Sequence, residues 1–180
     1  MQNFIFIVFC LILTYVQVSA LPIFFEVHRI PNLILSFLVS IVILKGFQWS
    51  IKWILLLGIL LDIFSFQLLG LNILGLFVAA LVAFEIKSAY RLRARRILFL
   101  VMFEVIIFAS KLSFDISKII VSRLVALTTK YSYVYALNIF SFDYVLSVLY
   151  TLIFAVPMYF IASRFIAWLY RNQNDGIIKR

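Results

Sequence analysis

Apolar residues run down this chain in long blocks, and polar residues gather at the block ends instead of recurring every turn. A soluble amphipathic helix returns to polar side chains every three or four positions, and these blocks do not. The first covers residues 4–25 and is interrupted only by weakly polar side chains such as Thr14, Gln17 and Ser19. Val18-Ser19-Ala20 has the small residues of a cleavage site, but no Lys or Arg precedes the block and it exceeds a usual signal core. It therefore reads as a retained span. A polar break from Glu26 to Ile30 leads to Pro31, which suits the first turn of a second span over 31–44. The turn Lys45 to Lys52 follows, with Trp49 and two Lys as interfacial anchors, and a third span covers 53–69. Gly70-Leu71-Asn72 reads as a tight hairpin, with a fourth span over 71–86. The charged run Lys87 to Arg96 precedes a fifth span, 97–117. Residues 118–140 mix charge with Tyr131, Tyr133 and Tyr135 and read as an outer interfacial amphipathic helix and loop. A sixth span, 141–163, carries Pro157 as a kink, and 164–180 form a basic cytoplasmic tail.

Composition agrees with the pattern. Of 180 residues, 66% are apolar and 13% charged, against about 45–50% and about 25% in a soluble domain. Six spans of about 20 residues leave no room for a soluble domain. The expectation is an all-α polytopic integral membrane protein of about six transmembrane helices, forming a single membrane domain over 1–180. A net charge of +9 would suggest nucleic acid in a soluble chain. With a mean hydropathy of +1.17 it becomes a topology signal instead, and nucleic acid drops out as a partner. Placing both termini in the cytoplasm puts 11 of the 16 Lys and Arg inside and 5 outside, the sense of the positive-inside rule. The run from Lys87 to Arg96 is thus chiefly topological, with attraction to anionic membrane lipids as a further effect. One cysteine, Cys10, allows neither an intrachain disulfide nor a paired-thiol metal site.

Few residues carry candidate chemistry. Asp62 falls near the middle of the third span, where a carboxylate costs about 2.5–3.5 kcal/mol. Each Leu, Ile or Phe of the span returns about 0.3–0.6 kcal/mol, so the helix tolerates Asp62 without explaining it. It reads as a clamp within its own bundle against Ser65, Gln67 or Asn72, as a contact with a partner helix, or as a proton or substrate site. Gly75, Ala79 and Ala83 recur every fourth residue, and Gly58 makes a similar notch four residues before Asp62. Such spacing lets helices approach closely, more often within one chain than between chains. Glu104, Lys111, Asp115 and Lys118 share one helix face with alternating sign. Judged by depth, Glu104 alone is expected to lie deep, with the other three at the outer interface, snorkelling or paired. His28, the sole histidine, lacks a second nitrogen or thiolate nearby and reads as a loop residue. With no G-x-S-x-G, H-E-x-x-H or phosphate-binding glycine loop, neither an enzyme nor a cofactor or metal is expected.

Gly58-Ile59-Leu60-Leu61-Asp62, followed by Leu69-Gly70-Leu71-Asn72-Ile73-Leu74-Gly75-Leu76, resembles the bacterial rod shape-determining MreD family. In that family a glycine-leucine-rich helix ends in an Asp, and a Gly-Leu-Asn/His step opens a small-residue-rich helix. The resemblance is specific over about 53–83. It implies a non-enzymatic scaffold of the cell-wall elongation complex in the bacterial inner membrane. Such a scaffold binds the bitopic protein MreC and couples MreB filaments to peptidoglycan synthesis by RodA and its transpeptidase partner. Asp62, Gly70 and Asn72 match the family pattern. Together with Gly58, Gly75, Ala79, Ala83 and Glu104 they are the candidates for a structural or partner-contacting core. The chain also looks like the substrate-binding component of an energy-coupling vitamin transporter, another small six-span protein and the alternative reading. Those components usually carry a small-xxx-small motif in the first span, where this chain is bulky, and that favours the scaffold.

Overall fold

The computed structural model describes residues 2–26, 29–65, 69–90, 96–128 and 141–177, with side chains described over 4–26, 29–65, 69–89, 99–126 and 141–168. Every regular element among them is helical: α1 (Gln2–Tyr15), a π-helical turn (Val16–Ala20), α2 (Leu21–Phe24), α3 (Leu33–Lys45), α4 (Phe47–Phe64), α5 (Leu71–Tyr90), α6 (Arg96–Thr128) and α7 (Phe142–Ile177). Phe4–Phe24, Phe47–Phe64, Leu71–Ala89 and Phe142–Trp168 are long and apolar enough to cross a membrane. The chain is thus a polytopic α-helical membrane protein. α3 is a shorter apolar helix, and α6 is long but carries charged residues along its length.

The π-helical turn follows from Pro22. A proline has no N–H to return to the preceding turn, and the chain widens just before it, so that Leu21 donates to Val16, five residues back. α1, the turn and α2 therefore form one helical rod. Pro31 stands one residue ahead of the cap, not in the first turn of the helix as the sequence suggested. Asn32 is the N-cap, its side chain accepting from the Leu35 N–H at 3.0 Å.

α3 is the axis of the bundle. Eleven of its 13 residues, Leu33 to Ile43, are buried, so it is apolar all round as a fully enclosed helix must be. α7, α5, α4, α6 and α1 all pack against it. Gly46 alone separates α3 from α4. Its φ of +90° is open to a residue without Cβ, and its N–H closes α3 on Val42 at 2.9 Å. The expected turn over Lys45 to Lys52 is therefore mostly helix, which starts α4 six residues earlier than the expected third span. That lets Lys52 lie over the Trp49 and Trp53 rings, at 5.1 and 4.9 Å.

Starting earlier, α4 also ends earlier, at Phe64, which moves Asp62 from mid-span to the last helical turn. α5 then begins behind Gly70, at φ +98°. α6 does not stop near 117. Its 33 residues run to Thr128, about 50 Å at 1.5 Å per residue, and absorb the first part of the supposed interfacial segment 118–140. α7 continues beyond 163 to Ile177 and runs through Pro157. Residues 129–140, His28, Gln67 and Arg91 to Arg95 lie outside the described residues.

Aromatic rings fasten the helices at the end where α3 meets α4. Phe6 stacks on Trp53 with centroids 3.4 Å apart and lies 5.2 Å from Phe165, while Phe9 sits 5.1 Å from Phe37. Tyr159 joins α7 to α6 through Phe99 and Phe103, at 5.4 and 5.1 Å. The buried charged groups, Asp62, Lys111, Asp115 and Lys118, lie toward the opposite end.

Candidate functional site

Asp62 and Asn72 organise the first polar cluster. Asp62 Oδ2 accepts from the Gly70 N–H at 2.7 Å, and Oδ1 accepts from the Asn72 N–H at 2.9 Å and from Asn72 Nδ2 at 2.8 Å. The α4 carboxylate thus caps the start of α5, where unpaired N–H groups and the helix dipole favour negative charge. Of the partners considered for it, Asn72 makes the bond, while Ser65 donates to the Leu61 carbonyl instead. Asn72 Oδ1 accepts from Lys118 Nζ at 3.0 Å, which carries the connection to α6. One and two turns back on α6, Asp115 and Lys111 pair at 2.6 Å, and Lys111 Nζ lies 5.6 Å from the Tyr144 ring centroid of α7. Asp62, Asn72, Lys111, Asp115 and Lys118 are all buried. Two acids and two bases balance, the condition under which buried charge is tolerable.

The charged stripe on α6 is therefore placed differently from expectation. Lys111, Asp115 and Lys118 are the enclosed members, because α5 and α7 cover that face. Glu104 is only partly buried, and its Oε2 is shielded yet has no hydrogen-bond partner among the described residues.

The small residues fit the helices together. A Cβ added at Gly58 would stand 2.7 Å from Ile73 Cα, and one at Gly75 would stand 2.8 Å from the Phe114 ring. Gly58 thus seats α5 on α4, and Gly75 seats α6 on α5. Ala79 and Ala83 are fully buried. Gly70, by contrast, has open space where a Cβ would go, and it serves the turn by its positive φ.

A second cluster at the same end was not singled out from sequence. Gln17, in the π-helical turn, donates from Nε2 to the Pro31 carbonyl at 2.9 Å and accepts the Leu33 N–H on Oε1 at 2.8 Å. The Asn32 N–H donates to Thr151 Oγ1 at 3.0 Å, and Ser147 Oγ donates to the Ile30 carbonyl at 3.0 Å. These side chains satisfy the irregular backbone ahead of α3, which low-dielectric surroundings would otherwise penalise heavily. The available signals were Gln17 inside an apolar run and the Ser147/Thr151 pair at i, i+4 spacing. Outside them, Arg29 bridges Asp143 at 2.8 Å and Glu26 at 3.2 Å. The hydrogen bond to Asp143 raises the Arg29 pKa above its ordinary value.

Among the described residues no three potential metal ligands gather. The arrangement instead joins α4, α5 and α6 through hydrogen-bonded polar groups and reaches α7 through the Tyr144 ring, which defines a helical membrane protein held as one frame. The sequence model of the rod shape-determining protein MreD family matches residues 1–169, and the chain belongs to that family. Neither the curated proteins nor the solved structures compared with it give a match. Membership assigns a role in rod shape determination.

Proposed function

We propose that the chain is a non-enzymatic scaffold of the cell-wall elongation complex in the bacterial inner membrane, with both termini cytoplasmic. It binds an MreC-like bitopic protein and through it couples MreB filaments to peptidoglycan synthesis by RodA and a transpeptidase. The family match over residues 1–169 carries this reading. The geometry supports it, because both carboxylate oxygens of Asp62 accept from backbone and Asn72 donors, the use expected of a clamp rather than of a substrate site.

Glu104 is the residue we assign to a partner. Its side chain borders the lipid-exposed residues Val101, Val105 and Phe108 on α6. A carboxylate at such depth is costly unless something bonds to it. A polar side chain on the partner's single membrane helix supplies that bond.

Purification of the whole protein in mild detergent tests the proposal. The expected result is co-purification of a single-span coiled-coil protein, with a clearly lower yield for Glu104→Gln at equal membrane amount. Recovery of an ATPase pair with a bound vitamin overturns the scaffold reading in favour of the transporter component. An unchanged yield for Glu104→Gln removes that residue from the interface.

A further inference from the structure

At the end of the bundle opposite the polar clusters, the turn between α3 and α4 opens into a cleft of about 330 Å³, lined by Lys45, Gly46, Phe47, Gln48 and Phe84. Neither the Asp62 cluster nor the Glu104 face extends to it. We propose that this cleft seats one anionic glycerophospholipid, with its phosphate at Lys45 and Gln48 and an acyl chain along the aromatic wall below.

The lining is divided as an amphiphile is. Lys45 and Gln48 form a polar lip that can donate to phosphate oxygens. The remaining wall is aromatic: Phe47 lies 5.9 Å from Phe84 and 5.6 Å from Phe77, centroid to centroid. Phe84 and Phe77 stand two turns apart on α5, about 10 Å along its axis, so the apolar surface continues from the lip down into the bundle's lipid-facing depth. A free anion would use only the lip. Gly46 keeps the mouth open, because the space where its Cβ would stand holds no atom within 4 Å.

The surrounding charge favours an anionic headgroup over a zwitterionic one. Lys45, Lys52 and Lys87 lie toward this end of α3, α4 and α5, where Glu85 is the one acid among the described side chains of these three helices. α4 itself starts with no side-chain cap and no acidic residue in its first turn, so no carboxylate of that turn competes for a phosphate there.

Native mass spectrometry of the delipidated whole protein tests this, with phosphatidylglycerol, phosphatidylcholine and inorganic phosphate as separate probes. One phosphatidylglycerol should be retained about fivefold more strongly than phosphatidylcholine, the factor that one lysine near a membrane surface contributes. Lys45→Gln should remove that preference. Gln48→Glu should weaken phosphatidylglycerol retention by a similar factor while favouring the helix, since an acid suits the first turn of α4. That variant keeps the test valid if a change at Lys45 disturbs the turn. Equal retention of the two lipids, or no change in either variant, would mean annular lipid only and overturn the proposal. Inorganic phosphate held as tightly as the lipid would overturn it too, since the aromatic wall would then contribute nothing.

Discussion

Asp62 ties the end of α4 to the start of α5, because three donors on the far side of the α4–α5 turn depend on its two oxygens. Asp62→Ala leaves the Gly70 and Asn72 N–H groups and Asn72 Nδ2 without that acceptor. The expected cost is about 3 kcal/mol, since one unsatisfied buried donor costs about 1–3 kcal/mol and water recovers part of the set. Asp62→Asn keeps one acceptor oxygen but turns an amide toward an N–H, so about half that loss is expected. Unfolding followed by tryptophan fluorescence in detergent measures both, and equal stability of the wild type and Asp62→Ala would remove the clamp. Arg29→Gln provides the contrast. Its bridge to Asp143 is partly exposed, at 34% and 41% for the two side chains, and its loss should cost less than about 1 kcal/mol. The importance of Asp62 was legible in sequence as a carboxylate out of place. Its partners were only partly so, because they depend on α4 ending at Phe64. That end, like the single-residue Gly46 turn at the helix start, is not marked by periodicity in an apolar run.

At the scale of the helix, close approach decides how α4, α5 and α6 meet. Replacing a helical Gly with Ala gains about 1 kcal/mol in propensity, so the sign of each substitution depends on what the new Cβ meets. At Gly58 it meets Ile73 backbone at 2.7 Å, and two helices must separate. At Gly75 it meets the Phe114 ring at 2.8 Å, a side chain that can turn aside. Gly58→Ala should therefore be destabilising by about 1–3 kcal/mol, the range for overpacking, and more so than Gly75→Ala. Thermal unfolding of the two variants side by side checks the order, and the reverse order would contradict this packing. The small-residue ladder was visible in the sequence, while its partner ring Phe114 was one of 20 phenylalanines with nothing to distinguish it. The continuation of α6 was hidden for a related reason. Lys118 looks like the end of a span when read by hydropathy, yet Asn72 of α5 receives it inside the bundle.

The whole molecule presents a polar-clustered end and an aromatic-fastened end, and the proposed topology puts the first outside the cell and the second in the cytoplasm. Single cysteines report on this directly, because native Cys10 is fully buried. Leu69→Cys, at a position 79% exposed in the α4–α5 turn, should react with a membrane-impermeant maleimide in intact cells. Gln48→Cys, in the first turn of α4, should react only after lysis. The opposite pattern would invert the chain. At this scale the all-helical membrane class and the family were legible from block hydropathy and the Gly58 to Leu76 pattern. The enclosure of α3 on all sides was not, because an apolar helix looks alike in lipid and in protein. The central claim is that a helical frame clamped at Asp62 serves rod-shape determination as a scaffold. Its most direct test replaces the native copy in the source bacterium with an inducible one and measures cell shape on depletion. Rods should round up, wild type should restore them, and Asp62→Ala should fail to do so at equal membrane amount. Persistence of rods on depletion, or their rescue by an added vitamin, would contradict the account.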